Sequence, residues 1–294
     1  MTQKNPASSG ETPVLPATLR LGPVHLTVTD LDRSVVFYRD NIGLELHNRE
    51  GSVAAMGAGD EDLLFLYEEP GARRAGRHAG LYHFALLHSS REELARTALR
   101  LAATRTRIQG ASDHGISEAI YLPDPDGNGI ELAADRPREA WPDLSNPGWD
   151  SGPEPLDMDG LLASIAGEEP GPEIDRGLTV GHVHLHVGDL QRGLDFYRDI
   201  LGFELMTFLP GAAAFVAAGG YHHHLGFNVW RGQGVPPAPE GGVGLRHWTV
   251  VLDDADAVAE VAGRALEAGT EVEERGDDFV VRDPWGIAVL FTTP

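Results

Sequence analysis

Between His114 and Glu131 the chain reads HGISEAIYLPDPDGNGIE, which sets a histidine, a tyrosine and a glutamate along one strand–turn–strand unit. These are residue types able to ligate a metal or to move protons. Ile120 and Tyr121 have β-type composition, and Asp124-Pro125-Asp126-Gly127-Asn128-Gly129 is dense turn chemistry. Ile130-Glu131-Leu132-Ala133 then resumes as a short strand. A carboxylate in such a setting ordinarily faces solvent. The other candidates are among the 13 histidines, several of them on strand-like segments: His25, His83, His182, His184, His186, His222, His223, His224 and His247. A single strand histidine is more often a core or edge residue than a ligand, so position has to select among them.

The elements that would position these groups come from a repeat. Residues 22–46, GPVHLTVTDLDRSVVFYRDNIGLEL, align without gaps on residues 181–205, GHVHLHVGDLQRGLDFYRDILGFEL, with 15 of 25 positions identical. Each copy opens on an alternating strand centred on His25 or His184. Asp30 or Asp189 follows as a helix N-cap, then an amphipathic helix carrying Phe37-Tyr38 or Phe196-Tyr197, which Gly43 or Gly202 ends. GLYHFALL (80–87) matches GLRHWTVV (244–251), placing His83 opposite His247, and a helix follows each. DPDGNGIEL (124–132) matches DPWGIAVLF (283–291), which sets Leu290 against Glu131. The order predicts four βαβββ-like modules in two α+β domains, 19–137 and 177–294. Residues 1–18 read as a disordered tail, and 138–176 as a Pro-, Gly- and acid-rich linker with one short helix at 158–165.

Bulk properties narrow the function. At 294 residues the chain suits two moderate domains. Its 45 acidic against 23 basic residues give a net charge of −22, the wrong sign for a nucleic-acid partner. The absence of cysteine excludes disulfides, thiolate ligands and a thiol nucleophile. No apolar run reaches membrane-spanning length and no signal-peptide core opens the chain, so a cytoplasmic protein is expected.

The FYRD…LG helix, the DPDGNGIE turn and the paired βαβββ modules resemble the vicinal oxygen chelate superfamily, which includes glyoxalase I, bleomycin-resistance proteins and extradiol ring-cleaving dioxygenases. The resemblance spans nearly the whole chain outside the tail and linker. It implies that modules pair into half-open β barrels with a metal or ligand in the cup. Segment 114–131 also resembles the extradiol signature: His, five residues, an aliphatic, Tyr, two residues, Asp-Pro, any residue, Gly, three residues, Glu, with a departure at Ser112.

The resemblance implies a site. Ligand positions fall on first strands, at His25, His83, His184 and His247, and on a last strand, at Glu131. Two histidines and one carboxylate on one face form the facial triad of non-haem Fe(II) oxygenases. Leu290 removes the carboxylate from the second half, leaving Glu131, with His83 of its own module as partner. The third ligand is His25 if the first and second modules pair, or His184 if the second and third do. His184 is favoured, because its module also carries Tyr221-His222-His223-His224, a pattern similar to a catechol 2,3-dioxygenase subfamily. The implied metal is Fe(II), with Mn(II) the alternative. His114 and Tyr121 are implied donors to substrate oxygens. An acid–base histidine is expected at His222 or His224, which strand alternation would place on one face, opposite His223. Asn228 and Trp230 are further pocket candidates, and Phe208, Phe215 and Trp248 are candidates for setting substrate preference.

The implied activity is Fe(II)-dependent meta-cleavage of a catechol by O2, with a small aromatic diol and O2 as partners and a homo-oligomeric assembly. A glyoxalase-type lyase or isomerase would use two carboxylates, one from each paired module, and YHHHLGFN in the third module has none. A metal-free binding protein would give His83, Glu131, His114 and Tyr121 no reason to coexist.

Overall fold

The computed structural model describes residues 14–142, 153–172 and 174–294. Among them, two nine-stranded mixed sheets with few helices make an α+β fold, and neither strand order closes into a barrel. One sheet runs Glu154–Pro155, Gly110–Asp113, Ser117–Pro123, Gly129–Asp135, Gly80–His88, Thr179–His186, Leu225–Asn228, Ala213–Ala217, Glu204–Leu209. The second and third modules therefore pair, joined by the antiparallel strands Gly80–His88 and Thr179–His186. The other sheet joins the fourth module to the first through Gly244–Val251 and Val24–Val28. Each sheet thus draws on both sequence halves, and 19–137 and 177–294 name an order along the chain rather than two separate sheets.

Contacts between helix and turn hold each half together across the sheets. Asp30 and Asp189 each accept the backbone N–H three residues on, capping Leu31–Phe37 and Leu190–Leu194. Both helices widen into a π-helical turn, and Gly43 (φ 103°) or Gly202 (φ 96°) leads out in the left-handed region. The tyrosine of each is buried and donates to the aspartate of the later turn: Tyr38 to Asp124 at 3.2 Å, Tyr197 to Asp283 at 3.0 Å. Asp124 also accepts from the backbone of Asp126 and Asn128 at 2.8 Å each, which fixes the DPDGNG turn that leads into Glu131.

Three expectations for the flanking segments meet the structure. Residues 1–13 of the expected tail lie outside the described residues, but Leu15 is buried and its N–H donates to the Gly202 carbonyl at 2.8 Å. The linker's residues 143–152 and 173 also lie outside them. The linker helix runs Met158–Ala163, capped by Asp157, and buries Leu161. No helix among the described residues is long and apolar enough to cross a membrane.

Candidate metal centre

Four neighbouring strands lay one row of side chains across one face of the sheet: Tyr121, Glu131, Ala85 and His182 are successive register partners. Ala85 in the middle is small and leaves a space between Glu131 and His182. His83 lies one pleat away on the same face as Ala85 and closes that space. Its Nε2 is 3.0 Å from Glu131 Oε2 and 3.2 Å from His182 Nε2, and His182 Nε2 is 3.1 Å from the same carboxylate oxygen. Ligand atoms cis to each other on an octahedral ion with bonds of about 2.1 Å lie about 3.0 Å apart, so these three groups fit one face of such an ion. All three residues are buried.

Two glycines make the arrangement possible. Gly181 is the extra residue of a bulge: Val180 pairs with Leu86, and His182 with Ala85. The bulge switches the strand's phase and turns His182 inward. A Cβ at Gly129 would lie 2.0 Å from the Tyr82 carbonyl and 3.1 Å from His83 Cβ, so only glycine lets the Glu131 strand approach this closely.

Burial alone would raise the Glu131 carboxyl, but His182 and His83 against it hold it well below the usual carboxylate range. Burial lowers His83 despite the pull of Glu131, so its imidazole is neutral, the form that ligates a metal.

The expected third ligand, His184, is not in this cluster, although it lines the same cavity and its ring lies beside that of His83, centroids 5.0 Å apart. It pairs in register with His83, one level from the Glu131 row, and its Nε2 is 3.0 Å from Asn228 Nδ2. Asn228 Oδ1 takes His186 Nδ1 at 2.8 Å, so this amide holds the two histidines that do not reach the centre. His182 completes the constellation in place of His184. The alternative, His25, is in the other sheet, stacked on His247 with ring centroids 3.8 Å apart and bonded through Nδ1 to the Tyr67 hydroxyl at 3.0 Å.

His114 and Tyr121 come together as a pair, with His114 Nε2 2.8 Å from Tyr121 Oη. Burial, and then Glu131, raises the phenol of Tyr121, which stays protonated; burial lowers His114, which stays neutral. The His222–His224 run is not a strand, since the strand begins at Leu225, and alternation does not apply to it. His222 Nε2 is 3.1 Å from Asp135 Oδ1 and its Nδ1 is 2.8 Å from His223 Nδ1. The ring of His223, rather than of His222 or His224, stands beside His182, centroids 4.2 Å apart. His224 accepts from the Ala218 N–H at 3.2 Å and lines a different cavity.

A cavity of about 810 Å³ opens over the centre, lined by His83, Glu131, His182, His114, Tyr121, His222 and His223 among others. Phe215 and Trp230 line it too, whereas Phe208 does not, and Trp248 is buried in the core of the other sheet.

Paired βαβββ modules with a buried His–His–Glu cluster define the class of protein, and comparison with known proteins gives its family. The profile of the Glyoxalase/Bleomycin resistance protein/Dioxygenase superfamily matches residues 20–132 and 179–291. The chain is 41% identical over 268 residues to catechol-2,3-dioxygenase of Bacillus subtilis (strain 168), covering 90% of this chain and 93% of that protein. It is 27% identical over 198 residues to metapyrocatechase 2 of Cupriavidus necator, covering 64% of this chain and 56% of that protein. Glyoxalase I from Zea mays shares the fold, with a TM-score of 0.59 at 20% identity over 93% of this chain and 92% of that one. The chain belongs to the Glyoxalase/Bleomycin resistance protein/Dioxygenase superfamily. Within it, the chain is a catechol-2,3-dioxygenase-like enzyme.

Proposed function

We propose that this protein is an extradiol dioxygenase that cleaves a catechol beside its diol, with both atoms of O2 entering a 2-hydroxymuconic semialdehyde-type product. The observation that carries the proposal is the buried His83–His182–Glu131 face with the Tyr121–His114 pair in the adjoining position of the same row. The likeness to catechol-2,3-dioxygenase supports it independently.

His83, His182 and Glu131 would hold a divalent metal, Fe(II) in this reading with Mn(II) the alternative. A metal held there supplies a cationic chelation site for vicinal oxygens and an electron path between ring and O2. Tyr121, protonated, donates its hydroxyl hydrogen to a substrate oxygen, and His114, neutral, donates Nε2–H to the Tyr121 oxygen across the 2.8 Å contact, which orients the phenol. On the other side of the centre His223 is the acid–base group. Its Nδ1 is engaged by His222, which Asp135 orients, and this leaves its Nε2 for the cavity. A glyoxalase-type reaction would need a second carboxylate at the centre, and among the described residues Glu131 is the one acid in the cluster.

The test loads the protein anaerobically with Fe(II), adds catechol and then admits O2. The expected result is O2 consumption equal to catechol consumed and a yellow ring-opened product. No O2 uptake across a panel of catechols would overturn the proposal. A homo-oligomeric assembly belongs to the same reading, and a monomer by light scattering would overturn that part.

A further inference from the structure

The cavity has two unlike flanks. Beyond Glu131 stand Ser112, Asp113, His114 and Tyr121; beyond His182 stand Thr207, Leu209, Phe215 and Trp230, carried by the outer strands of the third module or the segment after them. Aromatic rings build the second flank. Trp230 meets Tyr82 edge-on with centroids 5.3 Å apart, and Phe215 meets His184 edge-on at 5.6 Å.

Size and charge then limit what can bind. At about 810 Å³ the cavity is near the top of the ~300–1,000 Å³ range of small-molecule sites, far more than one six-membered ring fills. No lysine or arginine among the described residues lines it. Apart from Glu131, its carboxylates are Asp113 and Glu154. Asp113 is paired with Arg136 at 2.6 Å, and the chain as a whole carries −22. A carboxylate moved onto the apolar flank would lose its water and meet no cation.

Resting on the dioxygenase reading, we infer that the preferred substrates are catechols bearing an uncharged, apolar substituent. The diol sits at the His83–His182–Glu131 face, and the substituent sits against Thr207, Leu209, Phe215 and Trp230, which set the preference. Carboxylated catechols are discriminated against, because nothing on that flank replaces the hydration of the anion.

The test measures kcat/KM by O2 uptake on the metal-loaded full chain with catechol, 4-ethylcatechol and 3,4-dihydroxybenzoate. A methylene in an apolar pocket is worth roughly tenfold or more, so 4-ethylcatechol is expected about tenfold above catechol. The carboxylated compound is expected at least about a hundredfold below 4-ethylcatechol. Leu209→Arg and Thr207→Arg, made separately, should each raise the ratio of carboxylated to ethyl substrate by at least about tenfold. Circular dichroism and bound metal confirm that each variant is folded. Turnover of none of the compounds would overturn the dioxygenase reading and this inference with it. Equal use of 3,4-dihydroxybenzoate and 4-ethylcatechol would overturn the selectivity alone. Folded, metal-containing arginine variants with unchanged ratios would overturn the placement of the substituent.

Discussion

His182 and Glu131 share a property that His184 lacks. In the repeat, Glu131 faces Leu290 and His182 faces Pro23, whereas His184 faces another histidine, His25. The groups that meet at the centre include the two with no counterpart in the other sheet. Replacing His182 by alanine should therefore abolish stoichiometric metal binding, and His184→Ala should leave most of it, with affinity reduced by no more than the ~10–100-fold typical of supporting partners. Metal analysis of both variants after dialysis decides the matter; loss in His184→Ala with retention in His182→Ala would reverse the assignment. Glu131 was legible in the sequence because Leu290 exposed its loss from the second half. His182 is open to the same argument through Pro23, but the histidine repeated at 25 and 184 is the more regular pattern in the sequence. Strand alternation puts 182, 184 and 186 on one face without saying which stands level with Glu131. Tyr121→Phe tests the proton-donating role: kcat should fall by about 10²-fold or more while bound metal is unchanged. Unchanged kcat would remove Tyr121 from the chemistry.

Register is set between elements, and that is why it was hidden. The bulge at Gly181 and the close approach at Gly129 depend on the neighbouring strands, not on the local composition of either. The helix caps, the glycine exits and the DPDGNG turn are local, and each was legible. The histidine run lies just ahead of the strand: of its three residues only His224 shares backbone hydrogen bonds with the neighbouring strands, through Val216 and Val183, and Gly219 and Gly220 precede the run with φ of 62° and 65°. Gly129→Ala should push apart the strands carrying His83 and Glu131. We expect a loss of about 1–3 kcal/mol in stability and at least ~10-fold in metal affinity; wild-type values for both would show that the backbone yields freely. The Tyr197–Asp283 clasp makes a pH prediction. Burial raises the Asp283 carboxyl from 3.8 to about 6. Between those values the folded chain keeps a proton that the unfolded chain releases, so this group's contribution to stability falls as pH rises from about 4 to 6. The difference amounts to about 3 kcal/mol. Asp283→Asn should accordingly gain on the wild type by about that much between pH 4 and pH 7 in urea unfolding, and parallel pH profiles would refute the clasp's titration.

Across the whole molecule, four similar modules close a ring through two kinds of joint. Tyrosine–aspartate clasps join the first module to the second and the third to the fourth, while sheet pairing joins the second to the third and the fourth to the first. The sequence left the sheet pairing open, because every module begins with a comparable strand and either partner satisfies the pattern. The pairing splits the centre between the halves: His83 and Glu131 lie before the linker, and His182 after it. Expressed as separate pieces, 1–142 and 153–294, each half should bare one edge of two strands, Val24–Val28 and Gly80–His88 in one and Thr179–His186 and Gly244–Val251 in the other. Such pieces are expected to dimerise or aggregate, and neither alone as a monomer should bind metal at this site. Mixing them should restore a heterodimer with stoichiometric metal, read by light scattering and metal analysis. A monomeric piece that unfolds cooperatively would mean that the clasps, not the sheets, define the folding units.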